Sequence, residues 1–224
     1  GRVMREMARE ERAHPLLAAM QGVARESGAW VLIGSLTVPV EDGQDQRVAN
    51  RSLLLSGTGE VVARYDKLHM FDATLPNGRS IRESSLYRPG TEAVVAATPW
   101  GGLGLSICYD LRFPYLYRAL AGAGAACLAV PAAFTASTGP LHWHALLRAR
   151  AIETGSYVLA PAQGGRHEDG RGTYGHSLVA APWGEVVAHL DHDEPGVLLA
   201  DLDLAAPAKA RAAIPNLINA RPFA

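Results

Sequence analysis

Apolar and polar positions alternate with different periods along this chain, and the points where the period changes mark its elements. The stretch from about Ala13 to Ser27 reads as a helix that stops at Gly28 and leads into a buried strand, Trp30 to Leu36. Ser52 to Asp66 reads as a strand, a Gly-bearing turn and a return strand. Further on, the pattern predicts a strand from Leu103 to Cys108, a helix from about Pro114 to Ala123, a strand from Cys127 to Pro131 and a helix from Leu141 to Glu153. Val40 to Gln46 and Gln163 to Gly172 are polar, Gly-bearing loops, and Asp191 to Pro195 is a solvated acidic turn. The tail from Pro207 to Ala224 has few core-like runs, so it is expected to be an arm on the surface or on a partner subunit.

Two passages repeat. Ser52 to Asp66 matches Ser177 to Asp191 at an offset of 125, and Ala24 to Ile33 matches Ala151 to Ala160 at an offset of 127. Nearly constant offsets across separate elements predict two homologous halves. The second half has a strand, a helix and a strand ahead of its Leu141 to Glu153 helix, and the first half shows no counterpart to them. Residue 1 is therefore expected to fall inside a structural unit, with that piece upstream.

Composition bounds the rest. The 224 residues are 48% hydrophobic and 19% charged, with a formal net charge of -1. One domain spanning 1–224 is expected. With no basic stripe there is no field to collect nucleic acid or anionic lipid. The longest uncharged run, Ala119 to Leu141, is broken by Pro131 and Pro140, which suits no membrane span, and the opening residues do not form a secretory signal. Two cysteines make no disulfide framework, and a reactive thiol fits a reducing, cytoplasmic compartment.

Cys108 lies at a predicted strand end and is followed at once by charged residues, where α/β proteins place chemistry, whereas Cys127 sits in an Ala-rich run that suits an inert thiol. A nucleophilic cysteine needs a cation or base nearby, and Lys67, at the exit of the first hairpin, is a candidate. Glu83 lies between Lys67 and Cys108 in sequence. His69, His142, His144 and His176 are possible partners for a Cys-His pair, though spacing fixes none of them. His142 and His144, two apart at the start of a helix, diverge and make a poor metal pair. Gly101-Gly102-Leu103-Gly104 precedes a strand instead of following one, so no phosphate loop is expected.

Taken together, Tyr65 to Asp72 around Lys67, Arg82-Glu83-Ser84, Ile107 to Pro114 around Cys108, Pro131 to Thr135, Thr138-Gly139-Pro140, Leu147 to Glu153, Tyr174 to Ser177 and Pro182 to Glu185 resemble the carbon-nitrogen hydrolase (nitrilase) superfamily. The likeness covers essentially the whole chain in family order. It implies an α/β, four-layer αββα sandwich acting on a small amide and water without a cofactor or metal, in a homodimer or higher homo-oligomer. In that scheme Cys108 is the nucleophile, Lys67 stabilises the tetrahedral intermediate, Glu83 positions Lys67 and substrate, and the Tyr109 N–H completes the oxyanion hole with Lys67. Arg112, Phe113, Phe134 and Thr135 are the implied substrate contacts, Arg112 for a carboxylate. The general-base glutamate of the superfamily lies on an upstream Pro-Glu strand end, the piece that the repeat leaves unaccounted for. Glu6, Glu10 and Glu11 lack that strand and proline and are not expected to replace it, so the chain alone is expected to be inactive.

Within the superfamily, Arg148 to Glu153, Gln163 to His167 and Thr173 to Ser177 look most like the branch that hydrolyses deaminated glutathione. The ω-amidases of α-keto acid amides are the second reading and N-carbamoyl amide hydrolysis a third. His144 stands where related amidases often have a glutamate, which weakens the substrate assignment. Two readings of another kind are a non-catalytic homologue lacking its base and a Cys-His thiol hydrolase using His176.

Overall fold

A computed structural model describes residues 8–40, 45–75 and 78–222; Glu6 lies outside them. The chain divides into two compact units, residues 1–96 and 97–224.

In the first unit, helix α1 (Pro15–Ser27) starts on a proline whose missing N–H costs nothing at that position, and ends at Gly28 in the left-handed conformation, φ 70°. Its buried residues, Leu17 and Ala24, lie two turns apart on one face. They pack against an antiparallel meander of β1 (Val31–Pro39), β2 (Val48–Leu55) and β3 (Val61–Asp66). Ile33, Leu36 and Val38 of β1 and Ala49, Leu53 and Leu55 of β2 complete this core. Strict alternation would turn Ile33 and Leu36 to opposite faces, and a bulge between them corrects the phase. The buried Ser52 hydroxyl donates to the Gly34 carbonyl inside that bulge. A short hairpin, β4 (Asp72–Thr74) with β5 (Ser80–Arg82), follows.

The second unit is built on a six-stranded sheet. Its strands are β6 (Val95–Thr98), β7 (Gly101–Leu105), β8 (Ala125–Ala129), β9 (Tyr157–Ala160), β12 (Leu178–Ala180) and β13 (Val186–His189), in the spatial order β13-β12-β9-β8-β7-β6. β7, β8 and β9 run parallel. Helix α2 (Pro114–Gly122) joins β7 to β8, and α3 (Gly139–Thr154) joins β8 to β9, as parallel neighbours require.

Two expectations change here, and a third, the surface tail, gains a location. The β7 strand ends at Leu105, so Cys108 begins a 3₁₀ turn, Cys108–Arg112, beyond the ladder. The polar segment Gln163 to Gly172 is largely a hairpin, β10 (Gly164–Arg166) with β11 (Gly172–Tyr174), whose glycines hide the strand period. The tail folds back on its own unit through helix α4 (Ala206–Ala213), where Arg211 donates to the carbonyls of Ala125 and Thr154. Only Pro207 of α4 is buried, so the helix leaves almost no apolar stripe to read.

The repeat holds at the level of single bonds. The Ser56 N–H donates to the Glu60 carbonyl at 2.9 Å, and the Ala181 N–H to the Glu185 carbonyl at 2.8 Å, closing equivalent turns 125 residues apart. Each turn carries a glycine with positive φ, Gly59 at 78° and Gly184 at 96°. In each half the preceding helix donates to the carbonyl of that glycine. Gln21 Nε2 reaches Gly59 at 2.9 Å, and Arg148 Nε, 127 residues later, reaches Gly184 at 2.7 Å. Both helices end on left-handed glycines, Gly28 and Gly155. Among the described residues no helix is long and apolar enough to cross a membrane.

Candidate active site

Lys67 follows the last residue of β3 and is only 3% exposed. Its backbone is tied on both sides, the N–H donating to Asn50 and the carbonyl accepting from Gly90. Its Nζ donates to both carboxylate oxygens of Glu83, at 2.8 and 2.6 Å. Glu83 opens a 3₁₀ turn, Glu83–Ser85, at the exit of the β4–β5 hairpin, and accepts a further bond from the Phe71 N–H. The neighbouring Ser84 donates both its N–H and its hydroxyl to Asp72, and these bonds hold the Asp72 carboxyl below the ordinary carboxylate range. A cation this buried persists only beside a fixed counter-charge, which Glu83 supplies.

Cys108 adopts φ 49°, a left-handed conformation that L-residues rarely take and that costs about 1–3 kcal/mol. The surroundings hold it there. Its N–H donates to the Pro131 carbonyl, and the buried Asp110 carboxylate accepts from the Ile107 N–H at 2.8 Å. Arg150 of α3, nearly buried, donates to the Leu111 carbonyl at 3.0 Å and pairs with Glu153 at 2.6 Å. Ser106 links the Tyr117 hydroxyl of α2 to the Ala129 carbonyl of β8. The Tyr117 phenol is pushed far up by burial. Neither cysteine forms a disulfide; Cys127 is half-buried on β8, and burial pushes its thiol up, which disfavours the reactive thiolate.

The remaining candidates on the second unit make three separate sets of contacts. Phe134 is buried against Trp143, with the Arg112 guanidinium over its ring at 5.1 Å. Phe113 meets Tyr109 and Tyr115 edge-on. The Thr135 and Thr138 hydroxyls bond at 2.6 Å. Sequence reasoning singled out Arg112 but missed that His142 faces it; that contact spans 30 residues and has no local signature. Asp110 and Arg150 were likewise unweighted, although Asp110 stands three residues after Ile107, the spacing of a capping side chain.

His176 also takes a positive φ, 56°, and stacks on Tyr174 at 3.9 Å. Its Nδ1 lies against the Tyr174 carbonyl and its Nε2 faces Asp191 at 3.8 Å, so both ring nitrogens have neighbours within the same segment. Burial lowers the His144 imidazole below its ordinary value, and the nearby His176 adds to the shift. Among the described residues no group of three or more His, Cys, Asp or Glu is placed to hold a metal ion. Glu10 is exposed, and Glu11 is clamped between Arg51 at 3.0 Å and Arg64 at 2.7 Å.

The first unit carries a buried lysine-glutamate pair and the second a strained cysteine just beyond a parallel strand, on a mixed α/β fold. The chain belongs to the carbon-nitrogen hydrolase family, which it matches over residues 4–212. Deaminated glutathione amidase of Mus musculus is 45% identical over 209 residues, covering 92% of this chain and 64% of that protein, so the chain spans a little under two thirds of its relative's length. The C. elegans NitFhit protein is 39% identical with a TM-score of 0.84, covering 92% of this chain and 50% of that one. A mutant amidase from Nesterenkonia sp. AN1, with the acetamide moiety of fluoroacetamide added covalently at its active-site cysteine, is 30% identical with a TM-score of 0.69, covering 88% of this chain and 70% of that one. The mixed α/β fold is that of the nitrilase superfamily.

Proposed function

We propose that this protein hydrolyses the C–N bond of a small carboxylated amide, releasing ammonia, with a chemistry like that of deaminated glutathione amidase. Cys108 Sγ attacks the amide carbon, and the oxyanion that forms is held by the Lys67 ammonium and the Tyr109 N–H. The tetrahedral intermediate collapses with cleavage of the C–N bond. The nitrogen takes up the proton given up by the Cys108 thiol and leaves as ammonia, and an acyl thioester remains on Cys108. Water then attacks the thioester, giving the carboxylate and the free thiol; we assign no residue of this chain as the base for that step. Glu83 aims Lys67 and supplies the counter-charge that a buried ammonium requires. Arg112, with Phe113, Phe134 and Thr135 around it, is assigned to the substrate, its guanidinium to a carboxylate.

The observation that carries this reading is the conformation of Cys108. A strained backbone retained just beyond a parallel strand, with Asp110 and Arg150 holding its turn, suits a nucleophile more than a packing residue. The covalent addition of an acetamide moiety to the active-site cysteine of the Nesterenkonia amidase supports a nucleophilic cysteine at this position. Two measurements on the full-length protein test it. Rapid quenching with a hydrolysed amide followed by intact mass should show an acyl adduct that Cys108→Ala lacks. Lys67→Ala should lose nearly all ammonia release, and retention of most activity would overturn the assignment in favour of a Cys-His mechanism.

A further inference from the structure

Both terminal nitrogens of Arg112, Nη1 and Nη2, lie 3.3 Å from His142 Nδ1. Arginine has only donors, so the contact is a hydrogen bond only when Nδ1 carries its lone pair and the imidazole is neutral with its proton on Nε2. The guanidinium therefore rests on two supports from one side: the Phe134 ring beneath it and the His142 acceptor at its fork. Trp143, the next residue on α3, packs against Phe134, so one helical turn fixes both supports. Among the described residues no carboxylate pairs with Arg112, which is half-buried at the end of the 3₁₀ turn that Cys108 begins.

We infer that His142 is a positioning residue. By accepting from Arg112 it fixes the plane of the guanidinium and leaves its remaining N–H donors preorganised for a substrate carboxylate. This rests on the assignment of Arg112 to a substrate carboxylate. A flexible arginine would have to be ordered as each substrate binds, whereas a held one is ready. His142 thus acts on selection of the substrate and not on the bond that breaks.

The test uses a matched pair of amides in the full-length protein: succinamate, and butanamide, which replaces the carboxylate with a methyl group. His142→Leu should raise KM for succinamate about tenfold while kcat moves less than about threefold, so the preference for succinamate over butanamide falls by about the same tenfold. His142→Gln, whose side-chain carbonyl can accept from Arg112, should restore most of that preference. An equal loss on both amides, or no change in the succinamate KM, overturns the inference. Binding of succinate, followed by titration calorimetry, needs no turnover and separates this inference from the hydrolysis reading. If wild type turns over neither amide yet binds succinate, and His142→Leu binds it about tenfold more weakly, the role of His142 stands although hydrolysis fails. Absence of succinate binding to wild type at millimolar concentration sinks it.

Discussion

Lys67 and Glu83 show how much one side chain can depend on another. Glu83→Gln keeps the shape and removes the charge, leaving a lysine that is 3% exposed without a counter-ion. Breaking such a pair costs about 3–5 kcal/mol, so the thermal midpoint should fall by about 6–20 °C for a chain of this size. Adding Lys67→Met should return much of the lost midpoint while ammonia release stays absent. That combination, read by calorimetry beside an activity assay, separates a pair kept for chemistry from one kept for stability. Asp72 gives a pH signature nearby. Its folded value lies below the ordinary 3.8, first because the Ser84 hydroxyl donates to it. A lowered carboxylate contributes stability above its unfolded value and loses it as the pH falls through the folded one. The midpoint gap between wild type and Ser84→Ala should therefore be full at neutral pH and narrow below about 3.8; a gap that is constant through acid would exclude the link.

Elements respond to backbone geometry that side chains only permit. A methyl group on Gly184 would sit 2.6 Å from Ile152 Cδ1 and Cγ1, at a φ of 96°. One on Gly59 would sit 2.8 Å from the backbone carbonyl oxygen of Gln21. Both Gly→Ala changes should lower the melting midpoint, and Ile152→Ala should partly rescue Gly184→Ala. No single side-chain trim relieves Gly59→Ala, because there the obstacle includes main chain. Helices and the main strands were legible from period and from Gly and Pro stops, as Gly28 and Gly155 show. The end of β7 was not, since Ile107 resumes the apolar pattern after Ser106 while the ladder has already stopped at Leu105. Nor was the φ of Cys108, because nothing in the residue type announces a conformation that its surroundings impose. Helix α4 escaped notice because Ala-Pro-Ala-Lys-Ala-Arg favours helix by propensity yet shows no core face. Lys67 and Glu83 could be nominated from the sequence, but the bond between them depends on a hairpin that delivers Glu83 sixteen residues later.

Across the whole molecule, the repeat was readable as matching letters, but the letters do not reveal what was kept. At the paired helix positions the residues differ, Gln21 in one half and Arg148 in the other, and so do their charges. What coincides is a nitrogen donor at the ε position of each side chain, delivered to the carbonyl of a turn glycine. Arg148→Gln should therefore hold the thermal midpoint close to that of wild type, whereas Arg148→Met, of similar length without a donor, should lose about 1 kcal/mol; equal losses from the two would refute the comparison. If the expected result is obtained, the position constrains reach and polarity and leaves charge free to drift. Charge could then be redistributed between the halves at these two sites, giving a handle on solubility that leaves both folds as they are.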